Sequence, residues 1–152
     1  MTKQRVPALG ADGWFDPGGD GGAPALLGSR CAACGNLAFP RATYACGNPD
    51  CDGTELEEAR LATTGTVWSY TDARYQPPSP YVTTTDPYEP FALAAVELDE
   101  GGLVILGQTT TGTTVEDLHV GARVELAVEP LFEDDDNEYL IWKWRVVEVV
   151  DA

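Results

Sequence analysis

The sequence predicts a mainly β chain in two unequal parts, and three observations carry that prediction. All four cysteines lie within residues 31–51 as two close pairs, Cys31/Cys34 and Cys46/Cys51. Beyond residue 60 the chain breaks into five short runs rich in β-branched and aromatic residues, several alternating with polar or small ones. Between the third and fourth runs, Val115 and Leu118 stand three apart, enough for one helical turn. Two tight turns that each present two thiolates suit a single tetrahedral Zn2+ with a closed shell. Five strands with a short helical element between the third and fourth suit an OB-fold, a small Greek-key barrel. The expected architecture is therefore a rubredoxin-like zinc ribbon followed by a five-stranded OB-fold barrel, with a flexible arm over residues 1–29, the ribbon over 30–60 and the barrel over 61–152.

Size and charge agree with two parts and narrow the function. A chain of 152 residues has room for a metal-stapled module joined to a domain of roughly 90 residues. A knuckle of about 30 residues cannot bury enough apolar surface by itself, so a metal or disulfides must hold it. With 25 acidic and nine basic residues the formal charge is −16, and no cluster of Lys and Arg interrupts it. Nucleic-acid affinity depends on such clusters neutralising phosphates, so nucleic acid is not the expected partner. Lys3 and Arg5 precede no apolar run, and nowhere do 18 apolar residues follow one another. Neither a signal peptide nor a membrane span is expected, and the cytoplasm is the expected location. In that reducing compartment paired cysteines bind metal more often than they form disulfides.

The segment before the ribbon is loop-like, with Gly18, Gly19, Gly21 and Gly22 around Asp20 and a few apolar exceptions, among them Trp14 and Phe15. Two readings stand: a mobile tail that tucks those residues against the ribbon, or an arm that orders on a partner with Trp14 and Phe15 as anchors. In the ribbon, Gly35 and Gly47 directly follow Cys34 and Cys46, where small residues let a turn bring backbone N–H groups towards sulfur. Leu37, Phe39 and Tyr44 form an apolar hairpin expected to pack beside the metal, with Pro40 and Arg41 at its bend. Structural zinc on Cys31, Cys34, Cys46 and Cys51 is the leading reading; two disulfides or free thiols are the alternatives. A redox role for Cys31 and Cys34 lacks the surrounding β-α-β pattern.

The five expected strands span residues 65–73, 91–98, 103–109, 122–128 and 139–150. Residues 100–102, Glu-Gly-Gly, make a tight turn between the second and third. The connection 74–90 is long and carries Pro77, Pro78, Pro80, Pro87 and Pro90 with Tyr75, Tyr81 and Tyr88. Prolines keep such a loop extended and reduce what binding must order, so it is a candidate contact surface together with Arg74. The plain alternative is a loop that crosses the barrel wall with its tyrosines packed. The acidic run 133–138 reads as a solvated tip, since it lacks the spaced ligands and turn glycine of a calcium loop. Catalysis is poorly supported: the one histidine, His119, sits in a turn before Gly121, and Asp99 beside Glu100 is explained by turn chemistry.

The order of these motifs resembles a known family. Cys31-Ala32-Ala33-Cys34-Gly35, Phe39-Pro40-Arg41, Cys46 and Cys51, then Gly65-Thr66-Val67, Ser69-Tyr70-Thr71, Pro87-Tyr88 and the stretch 95–101 are similar to the zinc-ribbon plus OB-fold proteins catalogued as domain of unknown function thirty-five. The likeness covers about residues 26–149. The resemblance implies a non-catalytic accessory subunit that binds and stabilises a thiolase-fold enzyme, thiolase or lipid-transfer-type aldolase, acting on acyl-CoA thioesters, including steroid side chains. It implies a hetero-oligomer with acyl-CoA at the shared interface, for which Trp14, Phe15, Arg41, Arg74, Tyr75, Tyr81 and Tyr88 are the candidate surface residues. The chain departs from the family pattern in its glycine-rich start and in the four residues between Cys46 and Cys51 where two are common. Two other classes compete: a single-stranded nucleic-acid module stacking bases on Trp68, Tyr70, Trp142 and Trp144, and a free-standing CoA-ester binder using Arg41, Arg74, Lys143 and Arg145.

Overall fold

The computed structural model describes residues 3–8, 13–18, 23–74 and 90–147. Tyr75, Tyr81 and Tyr88, named above as candidate contacts, lie outside the described residues. Ten strands follow in chain order: β1 (Gln4–Pro7), β2 (Phe15–Asp16), β3 (Ala25–Cys31), β4 (Leu37–Ala38), β5 (Leu56–Arg60), β6 (Thr64–Asp72), β7 (Ala92–Leu98), β8 (Val104–Thr109), β9 (Arg123–Glu133) and β10 (Asn137–Val146). A single 3-10 turn, Val115–Asp117, stands between β8 and β9, where one helical turn was expected.

Strands β6 to β10 close on themselves: β10 pairs β8, β8 pairs β7, β7 pairs β6, β6 pairs β9, and β9 returns to β10. This closed five-stranded barrel is the expected OB-fold, and closure removes the edges that an open sheet of this size leaves exposed. Alternation decides which side chains fill it. Along β7, Ala92, Ala94, Val96 and Leu98 are buried, while Leu93, Ala95 and Glu97 face outwards. On β10, Leu140, Trp142 and Trp144 fill the interior, and Leu118, just after the 3-10 turn, is buried with them. Trp142 is 9% exposed and Trp144 not at all, so neither is a stacking platform for bases. Both indoles fit because β8 carries Gly107 opposite them: a Cβ there would lie 3.0 Å from each indole nitrogen.

β9 runs further than its sequence pattern suggests, to Glu133 rather than residue 128. Pro130 is accommodated at an irregularity where the register with β10 shifts between Tyr139 and Leu140, a site that tolerates a missing N–H. The acidic run then makes the hairpin tip. Asp134 accepts hydrogen bonds from the N–H of Asp136 (2.9 Å) and of Asn137 (2.8 Å), and from the Tyr139 hydroxyl (2.7 Å).

The ribbon is built on β3, which pairs with β5 along one edge and with β2 and β4 on the other. Part of the segment expected as an arm is therefore a ribbon strand, and Phe15 is 2% exposed in the core. As placed, Phe15 cannot anchor a partner. Strand β1 leaves the ribbon altogether and pairs in parallel with the start of β10, Gln4 opposite Asn137 through Pro7 opposite Leu140. Lys3 and Arg5 reach Glu133 (3.1 Å) and Glu138 (3.5 Å) across that seam.

Ribbon and barrel share one apolar core, joined by aromatic rings. Trp142 of the barrel stacks on Trp14 at 6.2 Å between centroids, and meets Phe15 at 5.7 Å and Phe39 at 5.8 Å edge to face. Phe39 thus packs on the barrel rather than beside the metal. Tyr44, expected in the same apolar hairpin, is 90% exposed. The turn after β7 completes the joint: Gly101 and Gly102 both have positive φ, and Gly101 lies so close to Leu37 that a Cβ would come within 2.5 Å of it.

Candidate functional site

The four cysteines meet at one end of the ribbon. Cys31 closes β3, Cys34 lies in the turn after it, and Cys46 and Cys51 flank a second turn tied by Cys46 N–H to the Gly53 carbonyl (2.9 Å) and Cys51 N–H to the Asn48 carbonyl (3.0 Å). All four sulfurs lie within 4.8 Å of one another. Cys31 and Cys51 Sγ are 3.8 Å apart, and Cys34 and Cys46 Sγ 3.5 Å. A disulfide requires about 2.05 Å. A tetrahedral metal with bonds of about 2.3 Å places its sulfurs about 3.8 Å apart. The residues fit one metal ion held by four thiolates, and such a shell leaves no position for substrate.

Backbone donors complete the site two residues beyond three of the four ligands. Asn48 N–H donates to Cys46 Sγ (3.4 Å) and Gly53 N–H to Cys51 Sγ (3.3 Å). The Asn36 N–H beside Cys34 lowers that thiol to about 7. The Gly53 donor favours the Cys51 thiolate too, but Cys34, burial and the remaining sulfurs push Cys51 up to about 12. Four sulfurs this close ionise together only when a cation shares their charge. The sequence points to Gly35 and Gly47, but Gly53 is the glycine the site needs most. A Cβ at residue 53 would sit 2.8 Å from Cys31 Sγ and 3.3 Å from Cys51 Sγ. Gly35 does take positive φ, whereas a Cβ at Gly47 would meet nothing within 4 Å.

Among the described residues, the other candidates do not converge on one pocket. Trp14 is 39% exposed and stacks on Trp142. Arg41 donates to the Gly13 carbonyl (2.6 Å) and pairs with Glu58 (3.4 Å), so it ties the ribbon to the segment before it. Arg74 pairs with Asp72 at 2.6 Å beside a groove of about 180 Å3 lined by Pro90, Phe91 and Val115. Lys143 pairs with Glu129 (3.0 Å) and Arg145 with Glu125 (3.2 Å). Each cation considered for CoA phosphates therefore already faces a carboxylate. His119 lines a second groove of about 350 Å3 with Glu116, Asp117 and Arg145, and no side-chain hydrogen bond orients it among the described residues.

Comparison with known proteins agrees with this geometry part by part. Residues 21–57 match the family model described as "ChsH2, rubredoxin-like zinc ribbon domain", and residues 58–129 match that described as "ChsH2, C-terminal OB-fold domain". A "DUF35 domain-containing scaffold protein" of Methanocaldococcus jannaschii is 29% identical over 125 residues, 79% of each chain. "Benzoylsuccinyl-CoA thiolase subunit BbsA" of Geobacter metallireducens is 32% identical over 118 residues, 78% of this chain and 71% of that protein. Among solved structures, a chain of the "Ltp2-ChsH2(DUF35) aldolase" superposes with a TM-score of 0.61 at 27% identity, covering 80% of this chain and 84% of that one. Ribbon, barrel and their order along the chain all correspond, and the chain belongs to the DUF35 family of zinc-ribbon plus OB-fold proteins.

Proposed function

We propose that this chain is a non-catalytic accessory subunit that binds and stabilises a thiolase-fold enzyme, thiolase or retro-aldolase, acting on acyl-CoA thioesters. The carrying observation is that this chain aligns over 78% of its length with a protein named as a thiolase subunit, and that 80% of it superposes on a chain of the Ltp2-ChsH2(DUF35) aldolase. The site chemistry supports a helper role. Four sulfurs close the metal shell, and the groove at His119 holds carboxylates and an arginine but no oriented acid-base pair. The metal is zinc, held by Cys31, Cys34, Cys46 and Cys51 as a structural staple. The partner supplies the catalytic groups, and the accessory chain helps form its acyl-CoA channel, in lipid or steroid side-chain metabolism. The reading places the complex in the cytoplasm, where the thiols stay reduced.

Co-expression with the thiolase-fold proteins of the source organism tests this reading. The expected result is a co-purifying complex that contains about one zinc per copy of this chain and turns over an acyl-CoA thioester faster than the partner alone. Failure to associate with every such protein overturns the reading, as does acyl-CoA turnover by this chain without a partner.

A further inference from the structure

The outer wall of the barrel is chemically divided. On the β9–β10 side, outward positions carry ion pairs: Arg145 with Glu125 in the open, and Lys143, itself only 3% exposed, with Glu129. On the β6–β7–β8 side the register aligns neutral rows instead. Ser69, Ala95 and Leu106 stand side by side, and so do Thr71, Leu93 and Gln108. Leu106 is 59% exposed, Val104 45% and Trp68 62%. Trp68 is the extra residue where the β6–β7 register shifts between Val67 and Ser69, a device that re-aims a side chain out of the regular alternation. Glu97, opposite Val104, is the acidic residue in these rows, although the chain carries 25 acidic residues. A neutral, apolar wall on so acidic a molecule is a contact surface in need of cover.

Charge selects the occupant. A second copy would bring another −16 to the contact and be repelled. Resting on the accessory-subunit reading above, we infer that the β6–β7–β8 wall, centred on Trp68 and Leu106, docks the thiolase-fold subunit through an apolar patch with cations at its rim. Exposed aromatics in such a patch act as anchors, while charges at the rim set the approach.

Leu106→Lys and Trp68→Ser alter side chains that already face solvent, so fold and metal content should survive; thermal unfolding and zinc analysis check this. With the thiolase-fold protein that co-purifies with the wild-type chain, each variant is expected to bind at least ten-fold more weakly. Glu125→Gln, on the ionic wall, is expected to bind as the wild type does. If the wild type forms a complex and both folded variants bind equally tightly, the docking surface is wrong while the accessory role stands. Should the wild type associate with none of the thiolase-fold proteins, the accessory role itself falls and this surface with it. Self-dimerisation of the wild type that Leu106→Lys abolishes would replace the inferred occupant with a second copy.

Discussion

Asp99 shows how little of a residue's role is written in its neighbours along the chain. Beside Glu100 and Gly101 it reads as a turn carboxylate, yet it accepts two hydrogen bonds from the Arg123 guanidinium, at 2.8 and 2.7 Å, and one from the Thr64 hydroxyl. Arg123 first, and Thr64 with it, hold this carboxyl well below the usual carboxylate range. With a depressed folded-state pKa, the unfolded chain takes up the proton first, so the contribution is complete above about pH 4 and drains away as pH falls below it. Asp99→Asn is expected to lower the melting temperature at pH 7, with the gap to wild type starting to narrow as pH falls below about 4 and closing only below the depressed folded-state value; a gap that stays constant from pH 7 to pH 3 would disprove the linkage. Gly53 makes the same point at the metal. Its place after the last cysteine was visible, but its closeness to the Cys31 sulfur comes from a loop closing across the site. Gly53→Ala is expected to weaken metal binding about 10- to 100-fold in competition with a chromophoric chelator, with the fold of the metal-loaded protein retained.

At the scale of elements, legibility followed the length and periodicity of each strand. The five barrel strands could be read because burying one side of a strand writes a period of two into the sequence, as Ala92, Ala94, Val96 and Leu98 do on β7 and Leu140, Trp142 and Trp144 do on β10. The four cysteines could be read because metal ligation constrains spacing more tightly than packing does. β1 could not: it has four residues, includes a proline, and owes its place to the edge of β10 more than 130 residues away. That edge is free for it because β8 pairs with β10 only at Lys143 and Trp144. Backbone bonds and two exposed ion pairs hold β1, and each such pair contributes at most about 1 kcal/mol. Reversing both charges, Lys3→Glu with Arg5→Glu, is expected to speed amide exchange at Gln4 and Ala8 about ten-fold, with the barrel amides unchanged. Unaltered exchange at those two sites would mean that the backbone pairing alone secures the strand.

For the whole molecule, the decisive joint is the aromatic contact between ribbon and barrel, which no local pattern in the sequence announces. Trp142 alternates as a barrel residue should, but the rings it touches, Trp14, Phe15 and Phe39, arrive from the ribbon side. Metal removal therefore reaches further than the four sulfurs. About 10–16 kcal/mol of binding free energy is coupled to folding in structural zinc sites, more than a ribbon of this size can replace by packing. Without the ion, the neighbouring sulfurs keep the Cys46 and Cys51 thiols protonated, and β3 to β5 lose the turn that closes them. The barrel keeps its own ring of hydrogen bonds, but losing Phe15 and Leu26 from its core exposes the Trp142 face at a cost of about 2–3 kcal/mol. For a domain of this size that lowers the melting temperature by roughly 10–20 °C. Chelation under reducing conditions should thus abolish amide protection at Cys31, Cys46 and Cys51 and red-shift tryptophan emission, while Val67 and Leu98 stay protected at 25 °C. Simultaneous loss of both sets of amides would show the two parts to be one cooperative unit; retention of the ribbon set would remove the metal from the account of the fold.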